Sequence, residues 1–267
     1  MEGLRSVHDA HGATYTEVGG REVVAHYGRS ERAHRAVRNV VGVIEQPVGV
    51  LTVSGDDRLA FVDNAVSNAV PTADGRGIYA LLLDPQGRIE TDMYVFTTPD
   101  RLLVLTPPGE AEPLADEWTE KTFIQDVAVS VATADFAVFG VYGPKATEKI
   151  ASVMPSQTPD EPLTFVRGSM GDAGVTVVRD DGITSDEGYL VVCAVDHAAD
   201  VFDTLENRGM NAAPFGWRVW ESLTLEAGSP LFETELANRI PNQLGLRNAL
   251  DFEKGCFVGQ EVVSRIE

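Results

Sequence analysis

Positive charge is scarce in this sequence. Lys121, Lys145, Lys149 and Lys254 are its only lysines. Lysine and arginine together number 21 against 41 aspartates and glutamates, a formal net charge of −20. Such a chain repels phosphates, which argues against sequence-independent nucleic-acid binding. Cysteine is scarcer still: Cys193 and Cys256, with no CxxC pair and no Cys/His cluster. This excludes a disulfide framework and argues against a zinc or iron–sulfur site built by the chain alone. No apolar run reaches the roughly 18 residues of a membrane span, so no membrane partner is expected. The N-terminus has no basic segment followed by an apolar one, so no signal peptide is read and a cytoplasmic address is expected. There is no P-loop, and "GRGIYALLLDPQGR" lacks the helix that a dinucleotide fingerprint requires. The histidines, His8, His11, His26, His34 and His197, fall in no motif.

What the chain has in excess is acid. One reading is an acidic surface for a basic partner. The other is adaptation to a high-salt cytoplasm, where screening removes the mutual repulsion of carboxylates. The acids are spread along the chain and lysine is rare while arginine is not, which favours the salt-adapted reading.

The 267 residues are enough for two compact domains, and a hydrophobic content of 43% is ordinary for a folded protein. Residues 1–32 read as a helix and a loose lead-in. "VGVLTVSGDD" reads as a strand, with Ser54 or Asp56 capping the helix "DRLAFVDNAVSNAV", which Pro71 ends. "GIYALLL", "RIETDMYVFTT" and "RLLVLTPP" form an antiparallel meander joined by the turns "DPQG" and "PD". A helix over 109–121 and the strands "DVAVSVAT" and "DFAVFGVYG" follow. A second unit repeats the pattern: the hairpin of "GVTVVRD" and "YLVVCAV", then the helix "DHAADVFDTLENRG" with Asp196 as N-cap and Gly209 as its stop. The fold class expected is α+β with antiparallel sheets. The chain stops at "VVSRIE" in what reads as a strand, so a further C-terminal domain is expected beyond it.

Three places are chemically suggestive. Alternation along "RIETDMYVF" puts Glu90, Asp92, Tyr94 and Phe96 on one strand face. A carboxylate among aromatic neighbours is poorly placed unless it meets water, a partner or a ligand. In "LTLEAGSPL", Glu226 reads as a surface carboxylate at a helix end. In "EKGCFVGQE", Lys254 lies two residues from Cys256, and a nearby ammonium stabilises a thiolate. Gly255 and Gly259 permit close approach or positive φ there, and Gln260 and Glu261 add an amide and a carboxylate. The alternative is a turn with a buried cysteine and a solvated lysine.

"KGCFVGQE" resembles the signature of the YgfZ family, tetrahydrofolate-binding proteins involved in making or repairing iron–sulfur clusters. That family shares its fold with the aminomethyltransferase (T-protein) of glycine cleavage. "VGVLTVSGDDRLAFVDNAVSN", "YALLLDPQGRIETDMYVF" and "ESLTLEAGSPL" are similar to stretches of the T-protein. The resemblance runs from about Gly42 to the end. It implies that Asp92 contacts folate and assists one-carbon transfer, that Tyr79 lines the folate pocket, and that Asp186 stands where the T-protein holds the pterin. Gln260 joins Tyr79, Asp92 and Asp186 as expected folate-binding residues; Asp92, Lys254 and Cys256 are the expected catalytic set, and no metal is expected. "TSDE" replaces the T-protein's "TGED", and Trp220 and Thr224 stand where it has arginines. These departures point away from a glycine-cleavage transferase, and the presence of "KGCFVGQE" points toward YgfZ.

The expected architecture is two α+β domains, 1–130 and 131–230, around a central folate channel. A segment over 231–267 returns to the channel, and a β-barrel is expected after Glu267. The expected function is folate binding in support of iron–sulfur protein assembly, with client or assembly proteins as partners. The alternative is a folate-dependent aminomethyltransferase in which Asp92 is the key acid and Cys256 is incidental.

Overall fold

The computed structural model describes residues 2–267. The chain opens with α1 (Glu2–Ala10), β1 (Thr14–Val18), β2 (Arg21–His26), α2 (Ser30–Asn39) and β3 (Gly42–Glu45). Next come β4 (Gly49–Ser54), α3 (Arg58–Ala65), β5 (Arg76–Leu83), β6 (Ile89–Thr97), β7 (Arg101–Thr106), α4 (Ala111–Lys121) and β8 (Ala128–Val131). Then follow β9 (Phe136–Tyr142), α5 (Ala146–Val153), β10 (Phe165–Met170), β11 (Ala173–Arg179), β12 (Gly188–Ala194), α6 (Ala198–Asn207), β13 (Ala213–Pro214) and α7 (Trp217–Ala227). A π-helical turn (Phe232–Leu236), α8 (Pro241–Leu244) and α9 (Gln260–Ile266) lie in the remainder. Among the described residues no helix is long and apolar enough to cross a membrane.

The elements form two compact units, and the fold is α+β as expected. Unit one joins the chain up to Pro47 with Ala134–Ser229; unit two joins Val48–Thr133 with Pro230–Glu267. This interleaving differs from the contiguous division into 1–130, 131–230 and 231–267. Strand pairing is the reason. β3 pairs antiparallel with β9, Val43 opposite Val141, and this carries the leading segment into unit one. The buried Ser67 hydroxyl donates to Ala249 O at 2.6 Å and accepts Leu81 N at 2.9 Å, which fastens the trailing segment to β5 of unit two.

Unit one contains a sheet of order β10-β11-β12-β9-β3-β13, mixed because β13 runs parallel to β3. Val177, Val191, Phe139 and Val141 alternate into a core closed by Ile150, Val201, Phe202 and Leu205 of α5 and α6. β1 and β2 form a separate ribbon across Gly19 and Gly20, both at positive φ; the expected loose lead-in is paired backbone. Unit two contains the antiparallel sheet β5-β6-β7-β4-β8. Ala80, Leu82, Met93 and Val95 pack on Phe61 and Val62 of α3 and on Leu114 and Trp118 of α4.

Four local expectations change. α3 stops at Ala65, short of Pro71, because Ser67 and Asn68 bond elsewhere: Asn68 Nδ2 donates to Tyr79 O and to Asn248 O, both at 2.9 Å. No side chain caps α3; Asp57 Oδ2 accepts Asp126 N at 2.8 Å, while Asp126 Oδ2 accepts Asp56 N at 3.1 Å. α6 is entered through a 3₁₀ turn, Val195–His197, with no side-chain cap from Asp196, although Gly209 has the expected positive φ of 62°. The expected strand at "VVSRIE" is α9, which buries Val263 and starts after Gly259 at φ 79°. The expected β-barrel concerns sequence beyond Glu267 and lies outside the described residues.

Candidate active site

The β5–β6 hairpin supplies the site. Strand alternation buries Ile89, Thr91, Met93 and Val95 and sends Asp92, Tyr94 and Phe96 to the opposite face. Tyr79 of β5 stands across from Tyr94, and its hydroxyl reaches the diagonal neighbour, donating to Asp92 Oδ2 at 2.9 Å. The ring centroids of Tyr79 and Tyr94 are 5.0 Å apart; those of Tyr94 and Phe96 are 6.4 Å apart with planes only 9° from parallel. Gly77 opposite Phe96 makes this possible, since a Cβ there would stand 2.3 Å from the ring. The face is therefore an aromatic shelf with one acid at its end.

Asp92 is the anomalous group on it. Part of the residue touches solvent, yet Oδ1 is enclosed and has no hydrogen-bond partner among the described residues. Burial pushes the carboxyl up to about 7; the Tyr79 bond opposes this and the Glu233 charge adds to it. An enclosed carboxylate oxygen without a partner carries a desolvation cost that a bound donor would relieve. Such a group can accept a proton or a hydrogen bond at Oδ1 while Tyr79 fixes Oδ2.

Lys254 and Cys256 do not form the expected pair. The Lys254 side chain is only 3% exposed, and its ammonium stands 3.5 Å from Asp63 Oδ1. Nζ donates to Val66 O at 2.9 Å, to Asn68 O at 3.0 Å and to Asp63 O. These carbonyls lie at and beyond the end of α3, where a helix leaves its acceptors unmet. An ammonium has three donors, and all three are used, so none remains for the thiolate. Cys256 is exposed. Asp251 builds the turn, its Oδ1 accepting Glu253 N at 2.8 Å and Lys254 N at 3.1 Å. Gly259 meets the "DPQG" turn so closely that a Cβ would lie 2.6 Å from Asp84 O. Gln260 opens α9, half-buried, with no side-chain hydrogen bond among the described residues.

Asp186 belongs to unit one, where Arg38 Nη1 donates to its Oδ2 at 2.7 Å. Arg38 also forks onto Glu226 Oε2, Nε at 2.9 Å and Nη2 at 2.7 Å, and donates to Thr184 O at 2.9 Å. Glu226 is held below the ordinary carboxylate range by Arg38, and its Oε1 stands 2.9 Å from His34 Nε2. The Asp186 carboxylate is thus committed to an ion-pair cluster. Trp220 packs on Tyr142 with centroids 5.1 Å apart, and Thr224 Oγ1 bonds back to Trp220 O at 3.1 Å.

The structure brings the expected residues Asp92 and Tyr79 together; Ser67 and Asn68, which tie β5 to the trailing segment, were not among those expected. Their one signal is the polar pair "SN" where α3 should have continued toward Pro71.

The chain matches the GCVT N-terminal domain family over residues 4–254. It is 30% identical to the aminomethyltransferase of Cutibacterium acnes, with 96% of this chain and 73% of that protein covered. It is 28% identical to the probable aminomethyltransferase of Halobacterium salinarum, with 98% of this chain and 74% of that protein covered. Its fold superposes on the crystal structure of glycine cleavage system aminomethyltransferase T from Bartonella henselae with a TM-score of 0.84, at 18% identity, covering 98% of this chain and 73% of that one. These likenesses overturn the expectation of a YgfZ-type role in iron–sulfur assembly and favour the aminomethyltransferase alternative. Within "KGCFVGQE", Lys254 anchors the end of α3 and Gly259 packs against the β5–β6 turn. The chain belongs to the GCVT N-terminal domain family.

Proposed function

We propose that this chain is a folate-dependent aminomethyl transferase whose acid–base group is Asp92. The observation that carries this reading is the enclosed Asp92 Oδ1, without a hydrogen-bond partner among the described residues, beside the Tyr79, Tyr94 and Phe96 rings. A reduced folate fits the residues present: a flat heterocycle with N–H donors meets a ring shelf and an unmet acceptor. Folate supplies the nitrogen that takes up the one-carbon unit. Tyr79 fixes Oδ2, the rings exclude water, and Oδ1 holds or gives up a proton near neutrality. Gln260 is a second, weaker candidate for a folate contact. Cys256 has no part in this reading.

The test is calorimetric titration with tetrahydrofolate together with an assay of methylene transfer from an aminomethyl donor. Binding and transfer in the native chain, with transfer lost in Asp92→Asn, support the reading; failure to bind tetrahydrofolate overturns it. The dispersed acid excess supports a high-salt working medium. Unfolding temperature should then climb as KCl rises from about 0.1 M to about 2 M, through screening of carboxylate repulsion. A flat or falling curve would exclude salt adaptation.

A further inference from the structure

One stretch of unit one runs against the charge of the whole chain. Residues 29–38, "RSERAHRAVR", hold four of the 17 arginines and a single acid, Glu31. Spacing by three aligns Arg32, Arg35 and Arg38 along one ridge of α2, with Arg29 just ahead of it. The C-terminal member, Arg38, is occupied by Asp186 and Glu226. Arg29, Arg32 and Arg35 are exposed, and no hydrogen bond or ion pair engages their guanidinium groups among the described residues. With Ser30 and Glu31 they line one open concavity. Several arginines elsewhere in this acid-rich chain find carboxylates or carbonyls: Arg5 meets Glu22, Arg247 meets Glu267, and Arg58 meets Gly55 O. Three neighbouring guanidiniums left open face solvent or a partner.

We propose that this face of α2 docks a short, carboxylate-rich segment of a partner protein. Guanidinium forks match carboxylates in bidentate geometry, and three of them at helical spacing fit acids carried close together. An extended polyanion fits poorly: beyond a Debye length of about 10 Å it meets the field of a chain bearing −20. Only a ligand whose negative charge is compact gains from the arginines without meeting the surrounding acids. The face shares no residue with the Asp92 shelf, so the two readings stand or fall separately.

The experiment is fluorescence anisotropy with the full chain, in the lowest salt at which circular dichroism shows it folded. The probe is a labelled alanine-based peptide of about 15 residues, long enough for partial helix, with glutamates at intervals of four. Its lysine counterpart is the control. The glutamate peptide should bind and the lysine peptide should not, with affinity falling as salt rises. Arg32→Glu combined with Arg35→Glu should weaken binding at least about tenfold while leaving tetrahydrofolate binding unchanged. Arg29→Ala, outside the helix, should weaken it about threefold and keeps the question open to measurement if the double variant misfolds. Equal binding by native and variant chains, or no binding of the glutamate peptide, would overturn the proposal. Tighter binding of a heparin oligosaccharide or of anionic lipid vesicles would equally overturn it, by assigning the face to another class of ligand.

Discussion

The two units share one connectivity. β4-α3-β5-β6-β7-α4-β8 in unit two and β9-α5-β10-β11-β12-α6-β13 in unit one both lay a three-strand meander beside the opening strand, in the orders β5-β6-β7-β4 and β10-β11-β12-β9. Both leave that strand through a glycine at positive φ, Gly55 at 103° and Gly143 at 129°. A Cβ would strike the backbone at either place, 2.0 Å from Asp126 O and 2.5 Å from Val37 O. Each unit also encloses a lysine and an acid whose pKa burial raises. Asp180 and Asp92 are both pushed up by burial, Asp180 with help from Asp181. The difference lies in their free valence. Asp180 Oδ1 accepts Gly182 N at 2.6 Å and Ile183 N at 3.0 Å, so it builds a turn. Asp92 Oδ1 accepts no hydrogen bond among the described residues. A raised carboxyl alone therefore does not mark a site; the unmet acceptor does.

The widest separation between the units should come from substituting these two acids. Asp92→Asn should lower one-carbon transfer by roughly 10²- to 10⁴-fold, the usual worth of a positioned acid–base group, with the fold intact. Asp180→Ala should instead cost about 2 kcal/mol of stability in urea unfolding, because two turn N–H groups lose their acceptor. Equal effects of both changes on both readouts would erase the distinction. Asp92 also carries a pH signature. Its folded pKa, about 7, lies above the ordinary 3.8, so the folded chain binds the proton more tightly than the unfolded one. Stability from this group is therefore full in acid and lost as pH rises toward about 7, and Asp92→Asn should remove that slope. A ligand N–H on Oδ1 favours the carboxylate, so folate affinity should rise toward about pH 7 and then level off.

The lysines sharpen the comparison on a smaller scale. Lys149 is fully buried, and Nζ donates to Thr204 O at 3.2 Å, Arg208 O at 2.6 Å and Met210 O at 2.7 Å around the end of α6. Lys254 does the same for α3 but has the carboxylate of Asp63 beside it. Lys149→Met should cost about 3 kcal/mol, since three enclosed carbonyls lose their donor. Lys254→Met should cost about 2 kcal/mol, since Asp63 lies partly in solvent and its neighbourhood can be rehydrated. Chemical denaturation of the two variants checks the order; a larger loss at Lys254 would show that the Asp63 ion pair dominates.

The meander was legible because its strands alternate cleanly and its turn, "DPQG", is chemically specific. Asp92 was legible for the same reason, since period two alone put it with Tyr94 and Phe96. The interleaving of the units was not legible, because it depends on β3 pairing with β9 almost a hundred residues away in the chain. The β1–β2 ribbon was missed because its strands, "TYTEV" and "REVVAH", are short and polar, although the Gly-Gly between them was a turn signal. Lys254 shows the sharper limit. Two-residue spacing from Cys256 says that the residues are near in sequence, not where the ammonium points. That direction is set by the open carbonyls of α3, some 190 residues earlier.

The smallest effect should come from the cysteine of "EKGCFVGQE". Cys256 is exposed, and the ammonium expected to activate it is occupied by Asp63, Val66 and Asn68. The Lys254 ammonium is therefore spent on the end of α3 rather than on the thiol. Cys256→Ser replaces one exposed group by another of similar size, so stability should move by no more than about 0.5 kcal/mol. Tetrahydrofolate affinity and one-carbon transfer should stay at the native level. A loss of transfer with folate binding intact would restore the cysteine to the chemistry and dissolve the contrast on which the Asp92 reading depends. In that case the free thiol, not the unmet carboxylate oxygen, would be what distinguishes unit two from unit one.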